Sequence, residues 1–120
     1  CAFMFKKTKH IIPNHYISHN NNILTVRKCS PFKIEFVVRA YITGNTVTSL
    51  WTHYNNGVRN YCGIDFPDNL KKNQKLEKPV ITPTTKDIED IPISKEDIVD
   101  KKYMTYDDCN FIYKKSIRII

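Results

Sequence analysis

The sequence predicts an α+β fold, an antiparallel sheet with helices, and three observations carry that prediction. Stretches rich in β-branched residues stand at 23–29 and 34–42, the hydrophobic period changes from two to 3.6 after Gly44, and helix-capping patterns begin at Ser94 and Thr105. The chain has 120 residues, of which 41% are hydrophobic and 12% aromatic, enough for one modest domain with one core.

The first strand is expected at Ile23–Cys29, "ILTVRKC", after the turn-forming "HNNN". A second is expected at Ile34–Ile42, with Pro31 breaking the chain between them, and the two strands are expected to pair antiparallel. After Gly44, Val47, Leu50, Trp51 and Tyr54 follow i, i+3, i+4, i+7 spacing and predict one face of a helix. Asn45 or Thr46 would be its N-cap, and Gly57 stands where such a helix stops. Residues 57–93 mix glycine, proline and asparagine with little periodicity and are expected to be extended or looped. "SKED" from Ser94 and "TYDD" from Thr105 then open two helices, the second with Cys109, Ile112, Tyr113, Ser116, Ile117 and Ile120 on one face.

The formal net charge of +7 favours anionic partners, namely nucleotides, nucleic acid or membrane surfaces, without choosing among them. No apolar run approaches the roughly 20 residues that span a bilayer, so a soluble protein is expected. Cys1, Cys29, Cys62 and Cys109 form no Cys-x-x-Cys pair, which argues against a zinc site and for reduced thiols in an intracellular protein. The opening "CAFMFKK" lacks an initiator methionine and "SIRII" closes on an apolar run, so the sequence is expected to be a piece of something longer.

Chemistry concentrates around "EFVVRAYITGN". On a regular strand Phe36, Val38, Ala40 and Ile42 share the core face, while Glu35, Val37, Arg39 and Tyr41 share the other. A guanidinium there either pairs with Glu35 on a solvated face or meets a bound anion. The N-terminus of a helix opening at Gly44–Asn45 would add free N–H groups beside Arg39, and together they suggest an anion pocket.

The same residues, read on through "SLWTHYNNGVRNYCG" and "ITPTTKD", closely resemble the phosphoribosylaminoimidazole-succinocarboxamide synthase (SAICAR synthetase) family over nearly all 120 residues. Phe32, Ile34, Glu35, Val37, Val38, Arg39 and Gly44 match the family signature in register. Lys33, Ala40 and Asn45 stand where the family has Pro, Gly and Ser.

The resemblance implies part of the SAICAR synthetase-like ATP-binding fold and a cytoplasmic ligase that uses ATP and Mg2+. Its reaction joins aspartate to carboxyaminoimidazole ribonucleotide through an acyl phosphate. By motif match, Arg39 and the Gly44–Asn45 turn hold the substrate phosphate, Thr84 also binds substrate, and Lys72 meets the reacting anionic groups as the catalytic residue. Arg27, Lys28 and Cys29 lie beside the adenine, and Glu35 lines the nucleotide cleft. Residues 1–44 then supply strands of the nucleotide-binding part, and 45–120 supply a helix, substrate-side loops and the C-terminal helices of one partial domain. The family's glycine-rich nucleotide loop and its Asp-x-Lys segment are absent from these 120 residues. The segment alone is therefore expected not to turn over substrate, the remainder of the enzyme being its necessary partner; no nucleic acid or membrane partner is implied.

Other constellations are weaker. His10, His15 and His19 fit no closed metal pattern. Thr82–Lys86, "TPTTK", either touches a phosphate or forms a solvated turn, and Asp87, Glu89 and Asp90 either approach magnesium or stay wet. The rival from another class is a non-catalytic basic module that binds nucleotide or RNA, for which no recognition motif is present.

Overall fold

A computed structural model describes residues 1–119, within which Cys1–Pro31 and Phe32–Arg118 form the bodies of two compact units.

In the first unit, α1 (Ala2–Thr8) ends with Lys6 and Lys7 in its last turn, where cations complement the helix dipole. Strands β1 (Tyr16–Asn20) and β2 (Ile23–Val26) form an antiparallel hairpin. Its turn is Asn21–Asn22, and Asn21 takes the left-handed φ of 51° that asparagine tolerates better than most residues. The "HNNN" run is thus the bend of a hairpin, and Ile23–Val26 finds its partner in Tyr16–Asn20. The strand expected at 23–29 ends three residues early, at Val26. Phe5 meets His15 edge to face at 5.3 Å, and the Tyr16 hydroxyl bonds His19 Nδ1 at 2.8 Å.

The second unit carries two apolar clusters. The expected strand 34–42 is divided there into β3 (Ile34–Glu35) and β4 (Val38–Tyr41), which find their partners in β8 (Thr84–Thr85) and β7 (Lys75–Ile81). Between the two halves, the Val37 carbonyl accepts from Thr82 N at 2.9 Å. Both partners lie inside the stretch expected to be extended or looped, whose pairing the sequence does not reveal. In β7, "KLEKPVI", charges and Pro79 conceal the strand. The register slips between Arg39↔Val80 and Tyr41↔Lys75, and this bulge is where a residue without an N–H is tolerated.

A second hairpin, β5 (Asn60–Tyr61) and β6 (Ile64–Asp65), turns on Cys62 and Gly63, both at positive φ, as a tight two-residue hairpin requires. Ile42, Leu50, Tyr54, Tyr61, Phe66 and Leu76 bury one cluster. Ile34, Ile93, Ile98, Met104 and Cys109 bury the other.

Helix α2 (Leu50–Asn55) begins later than its spacing suggests. Its N-cap position is Ser49, not Asn45 or Thr46, and Val47 is 85% exposed while Leu50 and Tyr54 are buried. The reason is local hydrogen bonding. Ser49 Oγ takes Thr46 N at 3.1 Å and Thr46 Oγ1 at 2.6 Å, closing a hydroxyl turn that competes with helix. Helices α3 (Lys95–Asp100) and α4 (Tyr106–Ile119) start as their caps dictate. Ser94 Oγ accepts from Asp97 N, and Thr105 Oγ1 from Asp108 N, both at 3.2 Å. Cys109, Ile112 and Tyr113 turn into the second cluster; Ile120 of the expected face lies outside the described residues.

The late start of α2 is open to test by denaturant unfolding of the full-length protein. Leu50→Ala is expected to lose about 2–5 kcal/mol by opening a cavity. Val47→Ala should stay within about 0.5 kcal/mol, whereas a helix running from residue 46 with Val47 on its buried face would make the two losses comparable.

Candidate anion site on the β4–β7 pair

Arg39 sits mid-strand in β4, half-buried, opposite Val80. Its Nε donates to Thr82 Oγ1 at 2.7 Å. Glu35 is not its partner: that carboxylate takes Lys86 Nζ at 3.0 Å, and Asp90 stands 3.8 Å from the same ammonium. Hydrogen bonding and attraction from Glu35, then attraction from Asp90, raise the Lys86 pKa. The solvated Arg39–Glu35 pair considered from the sequence therefore does not form.

Two turns meet at the end of the strand pair. Ile42 N donates to the Gln74 carbonyl at 3.0 Å, and Asn73 N donates to the Ile42 carbonyl at 2.7 Å. Thr43 Oγ1 bonds Asn73 Oδ1 at 2.5 Å. These contacts bring Lys72 to Asn45, whose Oδ1 accepts from the ammonium at 2.5 Å. Gly44 has φ +119°, and a Cβ there would overlap the Ser49 side chain, so the turn needs glycine on two counts. Asn45 lies on a turn five residues ahead of α2 rather than at its N-terminus, so the expected helix-terminus contribution to an anion pocket is absent. The cation near Asn45 is the Lys72 ammonium.

Thr84 is half-buried in β8, opposite Glu35, and bridges to Pro92. Thr85 is buried, and its hydroxyl accepts from Ile91 N at 3.3 Å. Thr82 is fully buried, so of the "TPTTK" hydroxyls it is the one that reaches a candidate site residue. The sequence pattern could not separate it from its neighbours. Arg27, Lys28 and Cys29 are exposed in the first unit, with Arg27 N donating to the His15 carbonyl at 2.7 Å.

Tyr61 and Cys62 feel the Arg39 charge. Burial raises the Tyr61 pKa and neighbouring Cys62 adds to it, while Arg39 pulls it down; the hydroxyl donates to the Thr48 carbonyl at 2.9 Å. Burial pushes the Cys62 thiol up to about 11, against lowering by the Ile93 backbone and Arg39. Cys62 also lines an apolar cavity of about 410 Å³ with Ile64, Val80, Lys95 and Tyr113. Neither this cavity nor one of about 500 Å³ beside Phe66 and Leu76 is lined by Arg39, Asn45, Lys72 or Thr84, so the cations occupy a different part of the surface.

Short antiparallel strands and helices that hold one cation on Thr82 and another on Asn45, next to a glycine turn, define an α+β protein with a locally cationic surface. Solved structures share the fold. The yeast (Saccharomyces cerevisiae) SAICAR synthase, solved with SAICAR bound, superposes with a TM-score of 0.78 at 22% identity, covering 98% of this chain and 44% of that one. The synthase from Ehrlichia chaffeensis gives 0.75 at 22% identity with the same coverage.

The sequence model for SAICAR synthetase matches residues 1–120, and the chain belongs to that family. The phosphoribosylaminoimidazole-succinocarboxamide synthase of Legionella pneumophila (strain Lens) is 54% identical over 98% of this chain and 38% of its own length. The chloroplastic enzyme of Arabidopsis thaliana is 54% identical over 84% of this chain and 25% of its own. The chain thus spans between a quarter and two fifths of these relatives.

The thiol chemistry gives a test with a defined sign. The Cys62 pKa is raised, so its thiolate is scarce below pH 9 and appears as pH climbs through about 11. Iodoacetamide labelling of Cys62 in the full-length protein, read by peptide mass, is expected to rise about tenfold per pH unit from pH 8 to 10. A plateau reached before pH 9 would contradict the burial effect.

Proposed function

We propose that this segment carries the substrate-phosphate grip of an ATP-dependent ligase that joins L-aspartate to carboxyaminoimidazole ribonucleotide, forming SAICAR. The observation that carries the reading is the state of two cations. Arg39 and Lys72 are held by neutral oxygens, those of Thr82 and Asn45, whereas Lys86 is paired with carboxylates and Arg59 with Asp68 at 2.8 Å. A cation oriented by a neutral acceptor keeps its charge for an incoming anion, which a cation in an ion pair does not.

In this reading Arg39 and the Gly44–Asn45 turn bind the phosphate of the ribonucleotide. Asn45, with its Oδ1 turned to Lys72, offers its amide N–H groups in place of the family's serine hydroxyl. Lys72 neutralises charge that develops as the substrate carboxylate is phosphorylated by ATP and then attacked by the aspartate amine. Thr84 contributes to the substrate side. Arg27, Lys28 and Cys29 border the adenine through their backbone, and Glu35 lines the nucleotide cleft.

ATP supplies the phosphoryl group. The described residues contain no group of three His, Cys, Asp or Glu side chains that converge on a metal position. Mg2+ would therefore depend on the nucleotide phosphates and on the remainder of the polypeptide. That remainder is also the partner the segment needs for turnover. The cytoplasm is the compartment proposed, although the Arabidopsis relative is chloroplastic. Among the described residues no helix is long and apolar enough to cross a membrane.

The test is a steady-state assay of the full-length protein with all three substrates. Arg39→Ala removes charged hydrogen bonds of about 1.5–3 kcal/mol and is expected to raise the KM for the ribonucleotide about 10- to 150-fold. Lys72→Ala is expected to act mainly on kcat. An unchanged ribonucleotide KM in Arg39→Ala would refute the phosphate grip.

A further inference from the structure

We infer that Thr82 is a positioning residue for substrate binding, acting through Arg39 and fixing the plane in which the guanidinium meets its anion. The inference rests on the proposed phosphate grip and extends it by one residue. Thr82 is 0% exposed, so it touches no ligand itself. Its backbone is fixed immediately after β7, with N donating to the Val37 carbonyl at 2.9 Å, and Pro83 behind it is also fully buried. The hydroxyl therefore sits at a defined point next to Arg39 and takes Nε at 2.7 Å across 43 residues of sequence.

The choice of nitrogen matters. Guanidinium is planar, so one bond at Nε and the direction of the Cδ–Nε bond set the orientation of the whole group. With Nε engaged by Thr82, the side-on fork that uses Nε with one terminal nitrogen is closed to a ligand. The end-on fork of the two terminal nitrogens remains, a geometry that matches two oxygens of a phosphate. Thr82 thus selects how Arg39 binds as well as holding it. A valine of nearly the same shape would remove the acceptor and leave the half-buried Nε–H without its partner.

The experiment compares KM values for the three substrates in the full-length protein. Thr82→Val is expected to raise the ribonucleotide KM about tenfold, the loss of one charge-assisted hydrogen bond, with the ATP and aspartate values unchanged. Thr82→Ser, which restores the acceptor, is expected to recover most of the affinity. In an Arg39→Lys background, which has no Nε, Thr82→Val should add almost nothing, since the two residues act as one unit.

A uniform rise in all three KM values, or full additivity with Arg39→Lys, would show a packing role only and overturn the inference. So would a normal ribonucleotide KM in Thr82→Val when Arg39→Ala raises it. If Arg39→Ala leaves that KM unchanged, the phosphate grip itself fails and Thr82 loses its role with it. If Thr82→Val does not fold, the wild-type protein decides: the Arg39 Nε–H signal, assigned by its loss in Arg39→Lys, must be protected from exchange with water. A signal that exchanges as freely as those of surface arginines sinks the proposal.

Discussion

Pairing of β4 with β7 is the constraint on which the rest of the second unit depends. It places Arg39 beside the chain that continues into Thr82, and it brings the turn at Thr43–Asn45 against the turn at Lys71–Gln74. Without that ladder the two cations of the candidate site would belong to unrelated loops. The pairing is antiparallel and joins residues about forty positions apart, so no local propensity can encode it. Burial supplies the incentive: Ile42, Leu76 and Ile81 leave water together when the strands align.

What the sequence revealed and concealed follows from this. Capping residues act within one turn of backbone, and Ser94 and Thr105 were legible for that reason. The start of α2 was not, because Thr46 and Ser49 use their hydroxyls to close a turn at positions whose apolar spacing suits a helix. Strand β7 was hidden by Pro79 and by the charges around it, since a half-exposed strand next to a bulge has no clean alternation to read. Pairing partners were misjudged for a related reason. Ile23–Val26 and the strand at residues 34–42 were expected to pair with each other; the first instead closes a hairpin with the strand just before it, and the second pairs with residues about forty positions downstream.

The candidate site shows the same division. Arg39, Gly44, Asn45 and Lys72 were named from motif resemblance, and the structure brings Lys72 to Asn45 across 27 residues. The partners that orient them are another matter. Thr82 occurs among three threonines within four residues, and only the fold distinguishes the hydroxyl that faces Arg39 from the one that accepts from Ile91 N. Glu35 looked like the partner of Arg39 because it lies two pleats away, yet it takes Lys86, 51 residues downstream. Short-range pairing rules for strand faces assume an uninterrupted strand, and the break at Phe36–Val37 removes that assumption.

The bond between Lys72 and Asn45 has a consequence for how tightly a ligand could be held. A free lysine has four rotors to settle when an anion arrives, and ordering such a side chain at binding typically costs about 0.5–1.5 kcal/mol. Here the ammonium is already tethered to a turn that is itself pinned by Thr43 and Asn73. Much of that disorder is lost as the chain folds, before any ligand is present. The same stroke of folding that aligns the strands therefore sets the stiffness of the surface an anion would meet.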